Sequence, residues 1–367
     1  MALPLRVGIV GCGNISGIYF QNLGKYKSTQ VIACSDLDEG RAQEAAAKHG
    51  VPYALSTKDL LEHPEVDLVL NLTIPNAHAS VALAAVEAGK HVYNEKPLTI
   101  ALADGKQLLE KANEKGVRVG CAPDTFMGAG IQTCRKLIDE GMIGEPIACE
   151  AHMQCHGHES WHPAPEFYYH KGGGPMLDMG PYYITALVNL MGGIKRVAGI
   201  SRATFPTRTI TSQPLNGKVI EVETPTHITG SVEFVSGAIG MVVQTFDVWH
   251  GNVAPLIVHG AEGSLLVGDP NTFGDTVQVR GKGASEWEPV GLNHGFAENS
   301  RGVGVLDIAH AVQEGRGHRA SGELALHVLE AMHAFSESSD SGQHVYLGTS
   351  VDRPQAMAEQ EFAADLA

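Results

Sequence analysis

The chain has 367 residues, 43% hydrophobic and 18% charged, with a formal net charge of −15. That length suffices for two domains with sizeable cores, the acidic balance disfavours nucleic acid and anionic membrane as partners, and no run approaches the roughly 20 apolar residues of a membrane helix. The first strand begins within a few residues of Met1, leaving no room for a signal peptide, and the six cysteines form no C-x-x-C pair, so reduced thiols and a cytoplasmic location are expected.

Leu5-Arg6-Val7-Gly8-Ile9-Val10 is an apolar run of strand length. Gly11-Cys12-Gly13-Asn14-Ile15-Ser16-Gly17 follows at once, and a helix is predicted over 15–26. Gly11 permits a tight turn, and Gly13 lets the backbone approach a pyrophosphate. Free N–H groups at the helix start, at Asn14 and Ile15, favour the anion. Ser16 stands where the third small residue of G-x-G-x-x-G belongs, and Gly17 comes one late. The context repairs this: strand before, helix after, and an acid, Asp36, closing a second strand at 31–35. Asp36 lies 25 positions after Gly11, near the spacing at which a carboxylate takes the ribose hydroxyls of NAD. Its charge repels a 2′-phosphate and no basic residue follows it directly, so NAD is expected rather than NADP. The alternative is an exposed loop acid.

Helices near 38–49 and 57–62 enclose a short strand at 51–55. A buried-type strand at 66–72, a helix over 78–88 stopped by Gly89, a strand at 91–93, a helix at 101–115 and a strand at 118–121 follow. Strands alternating with helices imply an α/β, doubly wound parallel sheet, a Rossmann domain over residues 1–123. From 124 the pattern changes: a helix at 128–140, a strand at 147–155, a helix near 176–191, then strands at 195–205, 229–235, 238–246, 255–267 and 276–280. Ser236-Gly237 reads as a hairpin turn. Helices at 302–314 and 322–338 close an α+β domain over 124–367 around a mainly antiparallel sheet.

Glu95-Lys96-Pro97 falls at the carboxyl end of a predicted parallel strand, the edge at which open α/β sheets bind ligands. Lys96 there can reach a substrate hydroxyl and exchange its proton; a cis bond at Pro97 aims it inward. Otherwise it is a surface lysine in a turn. Gly172-Gly173-Gly174 precedes a helix start that places Asp178 and Tyr182 four apart on one face, a carboxylate and a phenol able to hold a polyol and pass a proton. The plain alternative is a helix-terminal acid and a core tyrosine. His152, His156, His158, His162 and His170 match no zinc spacing, so no metal is expected.

These residues resemble the glucose–fructose oxidoreductase, inositol dehydrogenase and MocA (Gfo/Idh/MocA) family over nearly the whole chain. The resemblance rests on Gly11, Gly13 and Asp36, on the run 84–92 into Glu95-Lys96-Pro97, on 172–182 and on 322–330. It implies NAD(P) in the first domain and a sugar or polyol against the open sheet of the second, which also serves oligomerisation. Lys96 resembles the lysine of the E-K-P motif, and Asp178 the aspartate of D-x-G-x-H. Tyr182 replaces that motif's histidine, as in sugar-oxidising relatives, and Thr185 replaces the acid usual three places later. The loop after the 66–72 strand passes the cofactor in relatives, so Thr73, Pro75, Asn76 and His78 are expected beside it; the alternative is a plain turn capped by Asn76. Trp161, His162 and Lys171, just before the glycine segment, are expected to line the substrate pocket, with Trp161 stacking on a sugar face.

The expected function is NAD-dependent transfer of hydride from a secondary hydroxyl of a sugar, glycoside or polyol, with Lys96, Asp178 and Tyr182 as the catalytic set. A glycosidase working by transient oxidation, elimination, water addition and re-reduction needs the same first step. A non-catalytic NAD-binding sensor is the third reading; Lys96 and Asp178 argue against it. The partners expected are a small sugar-like molecule and further copies of the chain, as a dimer or tetramer.

Overall fold

The computed structural model describes residues 3–249 and 251–366. The chain divides into two compact units, one formed by residues 1–128, 294–326 and 357–367, the other by 129–293 and 327–356. A linear reading sets one boundary, between 123 and 124; packing instead returns two C-terminal segments to the first unit.

The first unit opens with β1 (Leu5–Val10), α1 (Ser16–Leu23), β2 (Thr29–Ser35), α2 (Glu39–His49), β3 (Tyr53–Ala54), α3 (Thr57–Glu62), β4 (Leu68–Asn71), α4 (Pro75–Glu87), β5 (His91–Asn94), α5 (Leu102–Lys115) and β6 (Val119–Cys121). The strands are all parallel, in the order β3-β2-β1-β4-β5-β6. Val7, Ile9, Leu68, Leu70 and Val92 are fully buried, as in a sheet covered on both faces, which explains the near-continuous apolar runs. The strand order reverses between β1 and β4, and that switch point is where such sheets bind ligands. Asp38 caps α2 and Ser56 caps α3 through their side chains, which matches the sharp starts of both helices.

The second unit holds α6 (Ala129–Asp139), β7 (Pro146–Gln154), α7 (Gly174–Asp178), α8 (Gly180–Met191), β8 (Ile194–Arg202), the small hairpin β9 (Thr207–Thr209) and β10 (Val219–Glu221), then β11 (His227–Phe234), β12 (Ile239–Thr245), β13 (Leu256–Gly260), β14 (Gly263–Leu266), β15 (Val277–Gly281) and β16 (Glu288–Val290). In the first unit α9 (Val303–Glu314) packs against β6 and β2. The unit boundary falls within α10 (Gly322–Ser341), and β17 (Val345–Tyr346) ends the large sheet. Its order is β16-β15-β14-β13-β7-β12-β11-β8-β17. All its pairings are antiparallel except β7 with β12, so the sheet is mixed. One face is packed, with Val197, Val232, Val242 and Val258 buried, while Ile200, Ile239 and Met241 stand exposed on the other.

Three expectations change here. The run 255–267 is not one strand but the hairpin β13–β14, turning at Ala261-Glu262. The hairpin β9–β10 escapes a sequence reading because each strand spans only three residues. The helix expected over 176–191 is two helices, α7 and α8, meeting at Met179. Pro181 has no N–H to give the carbonyl of Leu177, so the ladder breaks there. Asp178 and Tyr182 therefore do not share one continuous helical face.

Candidate active site

The β1–α1 turn needs its first glycine. Gly11 has φ +100°, and a Cβ on it would lie 2.6 Å from the carbonyl oxygen of Leu72. Gly13 is exposed, with no heavy atom within 4 Å of where its Cβ would be. Helices α1 and α4, which leave β1 and β4 on either side of the switch point, both begin bare. Their N-cap residues, Ile15 and Ile74, make no side-chain cap bond, and neither first turn holds an acid. Asn76 is thus not a cap. Two helix starts without side-chain caps, each a positive dipole end, suit an anion, and these residues fit a dinucleotide's pyrophosphate.

Asp36 is held rather than loose. Its Oδ2 accepts from Cys12 N–H at 2.8 Å and its Oδ1 from Asp38 N–H at 2.9 Å. Arg41, on α2, reaches Oδ1 at 3.3 Å. No basic residue follows Asp36 directly in sequence, yet α2 turns this one back onto it. A carboxylate has about four acceptor positions, so two backbone N–H bonds and one from Arg41 leave room for a ribose hydroxyl.

Beyond β4 and β5 the buried amides of Asn71 and Asn94 meet at 2.9 Å, and Asn71 Oδ1 accepts from the Thr73 hydroxyl at 2.7 Å. His78 is buried between two carbonyl oxygens, Pro97 at 2.7 Å from Nδ1 and Thr73 at 3.0 Å from Nε2. It ties the loop of Thr73 to the turn of Lys96 and Pro97, whose peptide bond is cis. Burial draws the His78 pKa down, against the pull of the two carbonyls towards the protonated form. Glu95 accepts from the buried Tyr19 hydroxyl at 2.7 Å and from Lys96 N–H at 2.9 Å. The backbone that presents Lys96, itself half-buried, is thus bonded on both sides.

In the second unit, Asp178 ends α7. His158 Nε2 lies 3.3 Å from its Oδ2, and both side chains are mostly buried. The His158 ring packs edge-on against Trp161, Tyr168 and Phe246, with centroids 5.2, 4.3 and 4.7 Å away. The structure thereby brings together Asp178, Trp161 and a histidine that sequence reading placed only in an unassigned group. Twenty residues separate the pair, so no local pattern announces it. His162 touches Trp161 edge-on, Lys171 stands exposed on its turn, and Tyr182 is buried in α8. Among the described residues, no three His, Cys, Asp or Glu side chains cluster as a metal site would require, and no helix is long and apolar enough to cross a membrane.

A six-stranded parallel sheet with two helix starts at its switch point is the architecture of a dinucleotide-binding Rossmann domain. Residues 5–122 match the oxidoreductase family described as GFO_IDH_MocA, NAD-binding Rossmann fold, and residues 131–266 match the GFO/IDH/MocA C-terminal domain. The chain belongs to the Gfo/Idh/MocA family. It is 27% identical over 263 residues to the myo-inositol 2-dehydrogenase of Thermotoga maritima, covering 71% of this chain and 75% of that one. It is also 27% identical over 271 residues to the scyllo-inositol 2-dehydrogenase (NAD(+)) of Bacillus subtilis, covering 73% and 75%. Among solved structures, levoglucosan dehydrogenase in complex with NADH and L-sorbose superposes with a TM-score of 0.82 at 22% identity, covering 95% of this chain and all (100%) of that one. At that identity the likeness speaks for the fold.

Proposed function

We propose that the protein is a dehydrogenase acting on a secondary hydroxyl of a sugar, glycoside or polyol, with NAD as the acceptor. The observation that carries this reading is the His158–Asp178 pair in its frame of aromatic rings. A carboxylate fixed by an imidazole accepts from a hydroxyl group, and aromatic faces meet the C–H faces of a saturated ring. The names of the inositol dehydrogenase relatives support the same substrate class.

When bound, the nicotinamide supplies the hydride acceptor. Lys96 takes the hydroxyl proton on its amine, presented by a backbone that Glu95 holds. Asp178 orients the substrate, with His158 keeping its carboxylate in place, and the Tyr182 phenol is the second acid/base group. Trp161 carries a sugar face, with His162 and Lys171 at the margin. Gly11, Gly13, Asn14 and Ile15 hold the pyrophosphate, Asp36 the adenosine ribose, and Thr73, Pro75, Asn76, His78 and Glu95 flank the nicotinamide half. Asp36 favours NAD over NADP, although Arg41 beside it softens the discrimination. The exposed Ile200, Ile239 and Met241 face supports self-association through the sheet; light scattering is expected to give more than one chain, and Met241→Lys to lower the mass.

A panel of sugars, glycosides and inositols, assayed for NADH and for aglycone release, tests the activity. Steady NADH formation with at least one of them is expected. Aglycone release without net NADH, with solvent deuterium entering the sugar, would replace the dehydrogenase by the redox-neutral glycosidase. Binding of NAD with neither product would leave a sensor.

A further inference from the structure

The segment after β7 sends two histidines in different directions. Gly157 sits between them at φ +80°, in a place where any Cβ would collide with the Tyr169 hydroxyl and the Glu159 carboxylate. On one side His158 turns to Asp178. On the other, His156 stacks on Trp249, with centroids 3.5 Å apart and planes 13° from parallel, and meets the edge of Phe205 at 6.4 Å. Two residues span at most about 7 Å of chain, so the two histidines leave the backbone within that distance of each other.

Trp249 gives one face to His156 and is still 71% exposed, and Phe205 is 41% exposed. Phe205 belongs to a fixed base, and so does His156 under Trp249: the His156 carbonyl accepts from Arg208 at 3.5 Å. The buried Arg208 guanidinium lies over the rings of Phe205 and Tyr169 at 5.1 and 5.4 Å. It also bonds Glu159 at 2.7 Å, the Phe246 carbonyl at 2.8 Å and the carboxylate of Asp247. An exposed indole on a rigid footing loses little conformational entropy when a flat face settles on it. These two exposed rings, with His156 beside both, offer an apolar face that suits a second ring of the same ligand.

We propose that Trp249, backed by His156 and edged by Phe205, is a second ring subsite. The substrate is then a glycoside or disaccharide, with the sugar to be oxidised at Asp178 and the attached ring on Trp249. This rests on the carbohydrate reading of the Asp178 pair, and it selects the two-ring members of that class over free polyols.

Calorimetry on the full chain saturated with NAD, using methyl and 4-nitrophenyl glycosides of each of several sugars, tests it. For at least one sugar the 4-nitrophenyl glycoside is expected to bind about tenfold more tightly than its methyl counterpart. Trp249→Ala should bring that ratio close to one and Trp249→Phe restore most of it, whereas Trp161→Ala should weaken both glycosides and keep the ratio. Methyl glycosides that bind with no gain from the second ring, or a ratio that Trp249→Ala leaves intact, overturn the subsite alone. A protein that binds NAD but no glycoside of either kind overturns the carbohydrate reading, and the subsite with it.

Discussion

The backbone N–H of Cys12 donates to Asp36 Oδ2 at 2.8 Å, so the acid that follows β2 also braces the glycine turn that follows β1. One carboxylate therefore serves two ends: it shapes the turn and presents a negative charge where the adenosine ribose is proposed to lie. The two roles separate by substitution. Asp36→Asn keeps an oxygen for Cys12 and removes the charge, so the preference for NAD over NADP should fall about tenfold or more with little loss of NAD affinity. Asp36→Ala also removes a hydrogen bond to a charged acceptor, of the order of 1.5–3 kcal/mol, so NAD affinity should drop as well. Titration calorimetry with both dinucleotides checks this, and an unchanged preference in both variants contradicts the ribose assignment.

Lys96→Ala should lower kcat by about 10²–10⁴, the usual worth of a positioned acid/base group, while NAD binds nearly as before. The Lys96 backbone bond to Glu95 survives the change, so the turn itself is kept. Comparable losses of turnover and of NAD affinity, measured by stopped assay and calorimetry, would mean that the lysine is structural.

Arg208 is 5% exposed and stands between Glu159 and Asp247. Arg208→Ala strands two carboxylates in a dry setting, and breaking such a pair costs about 3–5 kcal/mol. Denaturant unfolding should show a loss of that size. The Asp178 neighbourhood should loosen with it, because Glu159 directly follows His158. A change below about 1 kcal/mol would show the pair to be effectively solvated.

Asp124 is buried and accepts from Gly302 N–H at 2.8 Å and Gly304 N–H at 3.0 Å, capping α9 from far away in sequence. Burial pushes its pKa up from 3.8 to about 6. Between those values the folded chain holds a proton that the unfolded chain has released, so stability falls as pH rises through that window, by at most roughly 3 kcal/mol. Asp124→Asn keeps the acceptor and removes the titration. Its unfolding free energy should be flatter than the wild type's from pH 4 to 6, and parallel curves would contradict the assignment.

Much of this protein is legible in its sequence because the signals are local. A buried parallel strand is a continuous apolar run, a turn closing on Leu72 needs Gly11, and a hairpin needs Ser236-Gly237; each is set by a few neighbouring residues and by the period of the backbone. The first unit's strands and helices, the character of the second sheet and the family resemblance all follow from such signals. The break in the helix from 176 to 191 belongs with the local signals, since Pro181 announces it in the sequence. What the sequence leaves open is which distant groups meet. Asp36 finds Arg41 only because α2 turns back, Asp178 finds His158 only because the segment after β7 folds across α7, and α9 finds its cap in Asp124. These pairings were decided by the tertiary structure, since a buried charge or an uncapped helix end takes whatever partner packing delivers, at a sequence separation no local pattern encodes.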